Sequence, residues 1–317
     1  MNSNTRSNQG LGAPFSDRGT LLAFLLLVLF AGGNAVAVRL SNSALPPFWG
    51  ASLRFAAAGL VFWILVAVRG LALPKGRALL GAILYGLLSV GLAYAFLYWG
   101  LLRSPASLAG AVLAFVPLLT LLFAAAHGLE ELRWRGVIGA LMATAGVLIG
   151  VIGGFRSAVH VPSVLALVAG VACLAESTVL FKFLPQSDPL VTNALAIMAG
   201  TPLLAALSRF AGEAWNLPSS FRGWAAVAYL ALIGTVAVFY LYLYVLSRWT
   251  ASATSYSFLL IPVATVVIAA LVLGEAITAS FLIGAALVLV GVWFGAIQSP
   301  PKVVELTCRE LPTRAVC

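Results

Sequence analysis

Charged side chains inside apolar runs are the residues of this chain best placed to do chemistry. Arg54 and Glu176 lie well within long apolar runs, and Lys182 lies near the end of one. A charge at the centre of a lipid-embedded helix costs at least about 2.5–3.5 kcal/mol on insertion scales, so such residues pair, line water or meet a ligand. Glu176 has two readings. It is a site carboxylate, titrating a proton or holding a substrate amine, or it is the structural partner of Arg54 or Lys182. Lys182 follows Glu176 by six residues, nearly opposite around a helix, which disfavours a pair within that helix. Its long stem suits snorkelling to the surface instead. Arg54 reads first as structural, with a pore-facing role as the alternative.

The tyrosines and tryptophans form a second set. Tyr229, Tyr240 and Tyr244 fall within about 60° of one another at helical period, and Tyr85 within about 40° of Trp99. Tyr94 and Tyr98 make another adjacent pair, and Tyr256 joins from a later segment. Such rings can wall a cavity that takes flat or apolar solutes by stacking and cation–π contact. The same residues also favour membrane interfaces, and Tyr98, Trp99 and Tyr244 lie near segment ends. Asn34 follows Gly32 and Gly33, which either break the first helix and free backbone groups or serve as packing contacts.

Other chemistries lack their residues. A phosphate-bearing solute calls for several buried Arg or Lys, and the spans hold Arg54 alone. No phosphate-binding GxxxxGK[ST] loop occurs. The two histidines, His127 and His160, fall between apolar runs and join no His–Cys–carboxylate metal cluster, so neither a metal nor a cofactor is expected. A membrane-embedded enzyme needs a nucleophile–base pair or paired acids within the spans; Glu176 stands alone. No ring of charges suggests a channel. Cys173, Cys308 and Cys317 offer no disulfide framework.

These residues ride on membrane-length elements. Hydrophobic residues make up 62% of the 317-residue chain and charged ones 9%, against roughly 25% charged in soluble domains. At about 20 apolar residues per span, ten helices are expected at approximately 20–38, 48–68, 78–99, 106–126, 135–153, 161–182, 190–209, 223–246, 252–273 and 278–297. The continuous runs exclude the alternation of an outer-membrane barrel. Thr20–Phe30 with Ala35-Val36-Ala37 imitates a signal peptide, but an equivalent helix opens the second half, where cleavage is impossible, so the first helix is expected to stay. The segment after Ser299 is polar and reads as a tail.

The second half repeats the first. Arg103–Gly150 laid over Arg248–Gly295, a shift of 145, gives 14 identities in 48 positions without a gap. Arg103, Pro117, Glu130, Gly139, Gly146 and Gly150 are among them. Upstream the shift is 143, placing Arg39 on Lys182 and Pro46 on Pro189. Five helices per half is an odd number, so the halves enter the membrane in opposite senses, with a pseudo-two-fold axis in its plane, an arrangement typical of transporters.

The net charge of +9 follows from topology and does not point to nucleic acid. With ten spans one face carries Arg6, Arg18, Arg69, Lys75, Arg77, Arg133, Arg135, Lys182, Arg248, Lys302, Arg309 and Arg314. The other carries Arg39, Arg103, Arg156, Arg209 and Arg222. The richer face holds both termini and is expected to be cytoplasmic.

Ile261–Gly295 has a proline in mid-helix, Gly274-Glu275 at a helix end, then a glycine-spaced final helix. It resembles the EamA-type repeat of the drug/metabolite transporter superfamily. The first copy keeps Pro117 and Glu130 but has Leu129 in place of Gly274. Pro46–Leu60, with Arg54, looks like that family's second helix, whereas the second copy has Ile197 in place of Arg54. The resemblance covers about residues 19–297. It implies a small-molecule exporter, and one ten-helix branch of the superfamily exports aromatic amino acids.

Pro117 and Pro262 lack an amide proton and should kink their helices or free a carbonyl, as hinges or as static kinks. Glu130 and Glu275 are expected to cap the helix that follows each or to face water. Gly139, Gly146 and Gly150, with Gly284, Gly291 and Gly295, should let helices approach closely, as should Pro105-Ala106-Ser107 and Ala251-Ser252-Ala253.

The whole reads as an all-α membrane protein of ten transmembrane helices in two inverted five-helix repeats, 19–156 and 157–297, between cytoplasmic tails 1–18 and 298–317. It is expected to be an inner-membrane carrier, with lipid and a small solute as partners and sufficient as a monomer. It would export aromatic or hydrophobic amino acids through a cavity involving Asn34, Tyr85, Tyr94, Tyr98, Trp99, Glu176, Tyr240, Tyr244 and Tyr256. Another small hydrophobic metabolite or drug is the alternative cargo. Facilitated diffusion and proton exchange are both open.

Overall fold

The computed structural model describes residues 18–42, 44–101, 112–132, 134–151, 160–273 and 279–297. Every regular element among them is a helix. The tails, Arg103, the Pro105–Ser107 segment, Arg156 and Glu275 lie outside the described residues.

The first half runs α1 (Arg18–Asn42), α2 (Pro47–Val68), α3 (Arg77–Gly86), α4 (Ala93–Leu101), α5 (Val116–Ala126) and α6 (Trp134–Val151). The second runs α7 (Val161–Phe183), α8 (Pro189–Phe210), α9 (Phe221–Ala231), α10 (Val238–Arg248), α11 (Ala251–Ser255), α12 (Ser257–Leu273) and α13 (Ala279–Val292). A π-helical turn, Leu87–Leu92, joins α3 to α4, and another, Leu232–Ala237, joins α9 to α10. These two π turns are 145 residues apart, the same shift that aligns the repeats, and a third, Trp293–Ile297, follows α13. Among the described residues six segments are long and apolar enough to cross a membrane, and four shorter apolar helices accompany them. Their outer faces carry exposed Leu, Val, Ile and Phe, as lipid contact requires.

Helix starts follow local chemistry. Pro47 and Pro189 open α2 and α8 in the first turn, where a missing N–H costs nothing. Asp188 accepts from the Leu190 amide at 2.8 Å, and Ser220 from Gly223 at 3.2 Å. The start of α2 is capped from afar: Glu213 accepts from the amides of Phe48 and Trp49 at 3.2 and 2.7 Å.

The packing interleaves the halves. α1 packs chiefly on α9, α10 and α12 of the second half, and α7 on α3, α4 and α5 of the first. Repeat-equivalent helices also meet: α2 lies on α8, and α6 on α13. In the second of these pairs a Cβ on Gly139 would come within 2.7 Å of the Gly291 carbonyl, and one on Gly146 within 2.5 Å of the Gly284 carbonyl. Gly139 and Gly284 are repeat mates, as are Gly146 and Gly291. Each therefore meets the repeat mate of the other, so α6 and α13 run antiparallel at a spacing only glycine allows.

One expectation is corrected, and two pairs of alternatives are decided or narrowed. α1 is continuous through Gly32-Gly33-Asn34. Its glycines are contacts instead: a Cβ on Gly32 would strike Ala264, and one on Gly33 the Tyr229 hydroxyl. At Pro117 the helix is interrupted: a turn at Ala114 and Phe115 follows helical Val112 and Leu113, and Pro117 sits in the first turn of α5. The Ala114 carbonyl there accepts from the Thr144 hydroxyl at 3.0 Å. Pro262 does lie inside its helix, α12. Finally, Glu130 neither caps α6 nor faces water. It is 4% exposed and accepts from the Ser252 amide at 3.1 Å and from the Ser252 hydroxyl. It thus caps α11 in the other half, because that helix start leaves orphan amides buried beside it.

Candidate functional site

A cavity of about 280 Å³ lies between the halves. Its wall draws on α1, α4, α7, α10 and α12, with Tyr85, Ser89 and Leu113. Much of the wall consists of repeat mates. At the shift of 143, Ala31 matches Leu174 and Asn34 matches Ser177. At 145, Tyr94 matches Phe239, Leu97 matches Tyr242 and Leu113 matches Phe258; all ten line the cavity. A cavity walled by equivalent positions of two copies straddles the relation between them.

Among the described residues the wall is mostly apolar and aromatic, with hydroxyl and amide groups and no Asp, Glu, Lys or Arg side chain. The Thr178 hydroxyl donates to the Leu174 carbonyl at 3.0 Å, so the Tyr242 hydroxyl, 2.7 Å away, donates to Thr178. Ser177 donates to Leu174 at 2.8 Å and Ser89 to Tyr85 at 2.6 Å. Asn34 Nδ2 donates at 3.0 Å to the Gly234 carbonyl, inside the second π turn. That carbonyl can only accept, which fixes the amide's orientation. Asn34 Oδ1 then rests against Gly234, where a Cβ would come within 2.0 Å of it, and has no hydrogen-bond partner. The Ser257 hydroxyl, also in the wall, has none either.

Of the residues singled out from sequence, Asn34, Tyr85 and Tyr94 line this cavity. Tyr98 stands behind the wall, its ring 6.1 Å from that of Tyr94 and 5.9 Å from that of Phe48. Trp99 is exposed on the outer surface. Tyr240 and Tyr244 pair at 6.1 Å, with the Arg248 guanidinium 3.6 Å over Tyr244. Tyr256 is buried against α6, its hydroxyl donating to the Gly136 carbonyl at 3.3 Å. Glu176 meets neither Arg54 nor Lys182; its Oε1 lies 3.3 Å from His127 Nε2 on the C-cap of α5. His127 Nδ1 lies 2.9 Å from the Phe123 carbonyl, so it carries a proton.

Sequence reasoning missed Tyr242, Phe239, Phe258, Ser177, Thr178 and Ser257. A usable signal existed for some: Ser177 and Phe239 are the repeat mates of Asn34 and Tyr94. Tyr242 points away from the face shared by Tyr229, Tyr240 and Tyr244, and the cavity lies on its side.

At one end of the bundle a smaller cavity, about 200 Å³, is lined by Glu130, Lys182, Gln186 and Trp249 among others. Burial pushes the Glu130 carboxyl above the usual carboxylate range, against the hydrogen bonds from Ser252 and the nearby Lys182 ammonium. The link from Glu130 to Ser252 ties the two halves together at this end.

Apolar helices that cross a membrane, duplicated and interleaved around a solute-sized cavity, define an integral membrane transporter. The chain belongs to the EamA-like transporter family, whose description matches it twice, at residues 18–152 and 161–296. It is 30% identical over 240 residues to the uncharacterized inner membrane transporter YedA of Escherichia coli K12, covering 74% of this chain and 77% of that one. It is 27% identical over 251 residues to a probable terminal-alkyne amino-acid exporter of Streptantibioticus cattleyicolor, covering 75% and 80%. A crystal structure of another protein, 25% identical, superposes with a TM-score of 0.76 over 89% of this chain and 98% of that one.

Proposed function

We propose that this chain is an inner-membrane exporter that moves aromatic or hydrophobic amino acids out of the cytoplasm by alternating access. Ten spans form two inverted five-helix repeats with both termini cytoplasmic, and the chain works as a carrier, not as an enzyme. The observation that carries the reading is the cavity walled by repeat mates, because two similar halves rocking about such a site open it to each side in turn. The antiparallel, reciprocal glycine contact of α6 and α13 supports the inverted arrangement. Tyr85, Tyr94, Phe239, Tyr242 and Phe258 give flat apolar side chains a stacking surface. The exporter of Streptantibioticus cattleyicolor supports the amino-acid class.

The test is flux of labelled tryptophan and phenylalanine in proteoliposomes, with and without an imposed pH gradient. Saturable flux, competed by the unlabelled amino acid, is expected. Folded protein that moves neither amino acid would remove the substrate class. A second reading, export of a neutral hydrophobic metabolite, is favoured by a wall that carries no charged side chain among the described residues. Flux of an uncharged aromatic solute without amino-acid flux would select it.

A further inference from the structure

Arg54 is 3% exposed on α2, and its Nε is buried without a hydrogen-bond partner. Among the described residues no carboxylate forms an ion pair with it. Glu213 caps α2 a short way along the helix. Its carboxylate is already taken by the Phe48 and Trp49 amides and, at 2.8 Å, by the Ser208 hydroxyl. The guanidinium instead rests on rings, 4.5 Å from the centre of Phe55 and 5.1 Å from that of Tyr94. Tyr94 is also a wall of the central cavity. One aromatic ring therefore touches both the cavity and a buried cation whose Nε–H is unspent.

A guanidinium kept in low dielectric without a counter-charge attracts anions, and its planar fork fits a carboxylate. The repeat mate of Arg54 is Ile197, 1% exposed and packed towards Gly59. The cavity wall is built from equivalent positions, but the charge behind it stands on one side only. A two-fold site with one cation binds an asymmetric solute in a single orientation.

We propose that Arg54 recognises a carboxylate on the transported solute, reached from the central cavity when the Tyr94 ring turns aside. This deepens the exporter reading and rests on it for the identity of the cavity. The cargo it specifies is a monocarboxylate with an apolar or aromatic body. The acid end lies on the Arg54 side and the body among Phe239, Tyr242 and Phe258.

The experiment uses the full chain in lipid nanodiscs and two acid–amide pairs, phenylalanine with phenylalaninamide and 3-phenylpropanoate with 3-phenylpropanamide. Calorimetry should show each acid binding about tenfold or more tighter than its amide, a difference near 1.4 kcal/mol. Arg54→Gln should bring that ratio close to one, and Arg54→Lys should restore part of it. A purely structural arginine would weaken acid and amide alike, so an unchanged ratio in Arg54→Gln overturns the proposal, as does a wild type indifferent to the acid. A second readout does not depend on aromatic cargo, nor on a folded variant: acetate, and not acetamide, should shift the Arg54 Nε–H resonance of ¹⁵N-arginine-labelled wild type. A shift with acetate while neither aromatic pair binds keeps the carboxylate site and removes the aromatic cargo. A resonance that ignores every acid removes the carboxylate site, whatever the flux measurements give.

Discussion

Glu130 of the first half accepts the backbone amide of Ser252 in the second, across 122 positions of sequence. A loop carboxylate thereby caps a helix to which its own half does not belong.

Removing that acceptor leaves the α11 amides buried and unpaired. Glu130→Ala is expected to cost about 1–3 kcal/mol, read as a fall in melting temperature in detergent, and Glu130→Gln less. Because burial raises the Glu130 carboxyl in the fold, its stabilising contribution is complete below the unfolded value of about 4.3 and is lost as pH rises through the folded value. The wild type should gain stability over that window as pH falls, and Glu130→Gln should flatten the gain. Parallel melting-pH curves for the two proteins would contradict this assignment.

Asn34 and Gly234 make a testable pair. Gly234→Ala drives a Cβ into the Asn34 amide and should destabilise by about 1–3 kcal/mol. Adding Asn34→Ala removes the obstacle, so the double variant should be more stable than Gly234→Ala alone. Additive losses in such a cycle would mean that the amide and the π turn are not in contact.

The α6–α13 contact predicts a reciprocal pattern. Gly139→Ala and Gly146→Ala should each lower stability by about 1–3 kcal/mol through overpacking. Gly139→Ala with Gly291→Ala should lose less than the sum, since one separation of the helices relieves both clashes. Thermal unfolding of the single and double variants checks this.

Cavity and surface aromatics should part company in transport. Tyr242→Ala is expected to lower flux about tenfold, equivalent to about 1.4 kcal/mol. Trp99→Ala, on an exposed ring, is expected to stay within about twofold of wild type. Proteoliposome flux at matched protein density decides. Equal effects would place the solute path away from the cavity.

The spans and the duplication are legible because apolar run length and gapless self-similarity are properties of sequence order. The family is legible for the same reason: proline, Gly-Glu and spaced glycines recur along one segment. The cavity is not. Tyr240 and Tyr244 stand out as an i, i+4 pair, whereas Tyr242 and Thr178 come together only through tertiary packing, 64 positions apart. The partners of Glu130 and Glu176 are hidden likewise, since Ser252 and His127 lie far from them in the chain. The π turns carry no distinctive residue pattern, and the neighbour of one of them, Asn34 against Gly234, comes from 200 positions away. Pro117 shows the limit from the other side: identical in type to its mate Pro262, it opens a helix where Pro262 lies within one.

Neither half keeps its own leading helix. With α1 seated on the second half and α7 on the first, a half-length ancestor could have buried its apolar surfaces only in pairs, each copy lending its first helix to the other. Joining two such copies in one chain makes the exchange of first helices intramolecular, which removes protein concentration from that step. The cost is order of synthesis: the first helix emerges with its partners still unmade and must wait in the bilayer until the second half arrives.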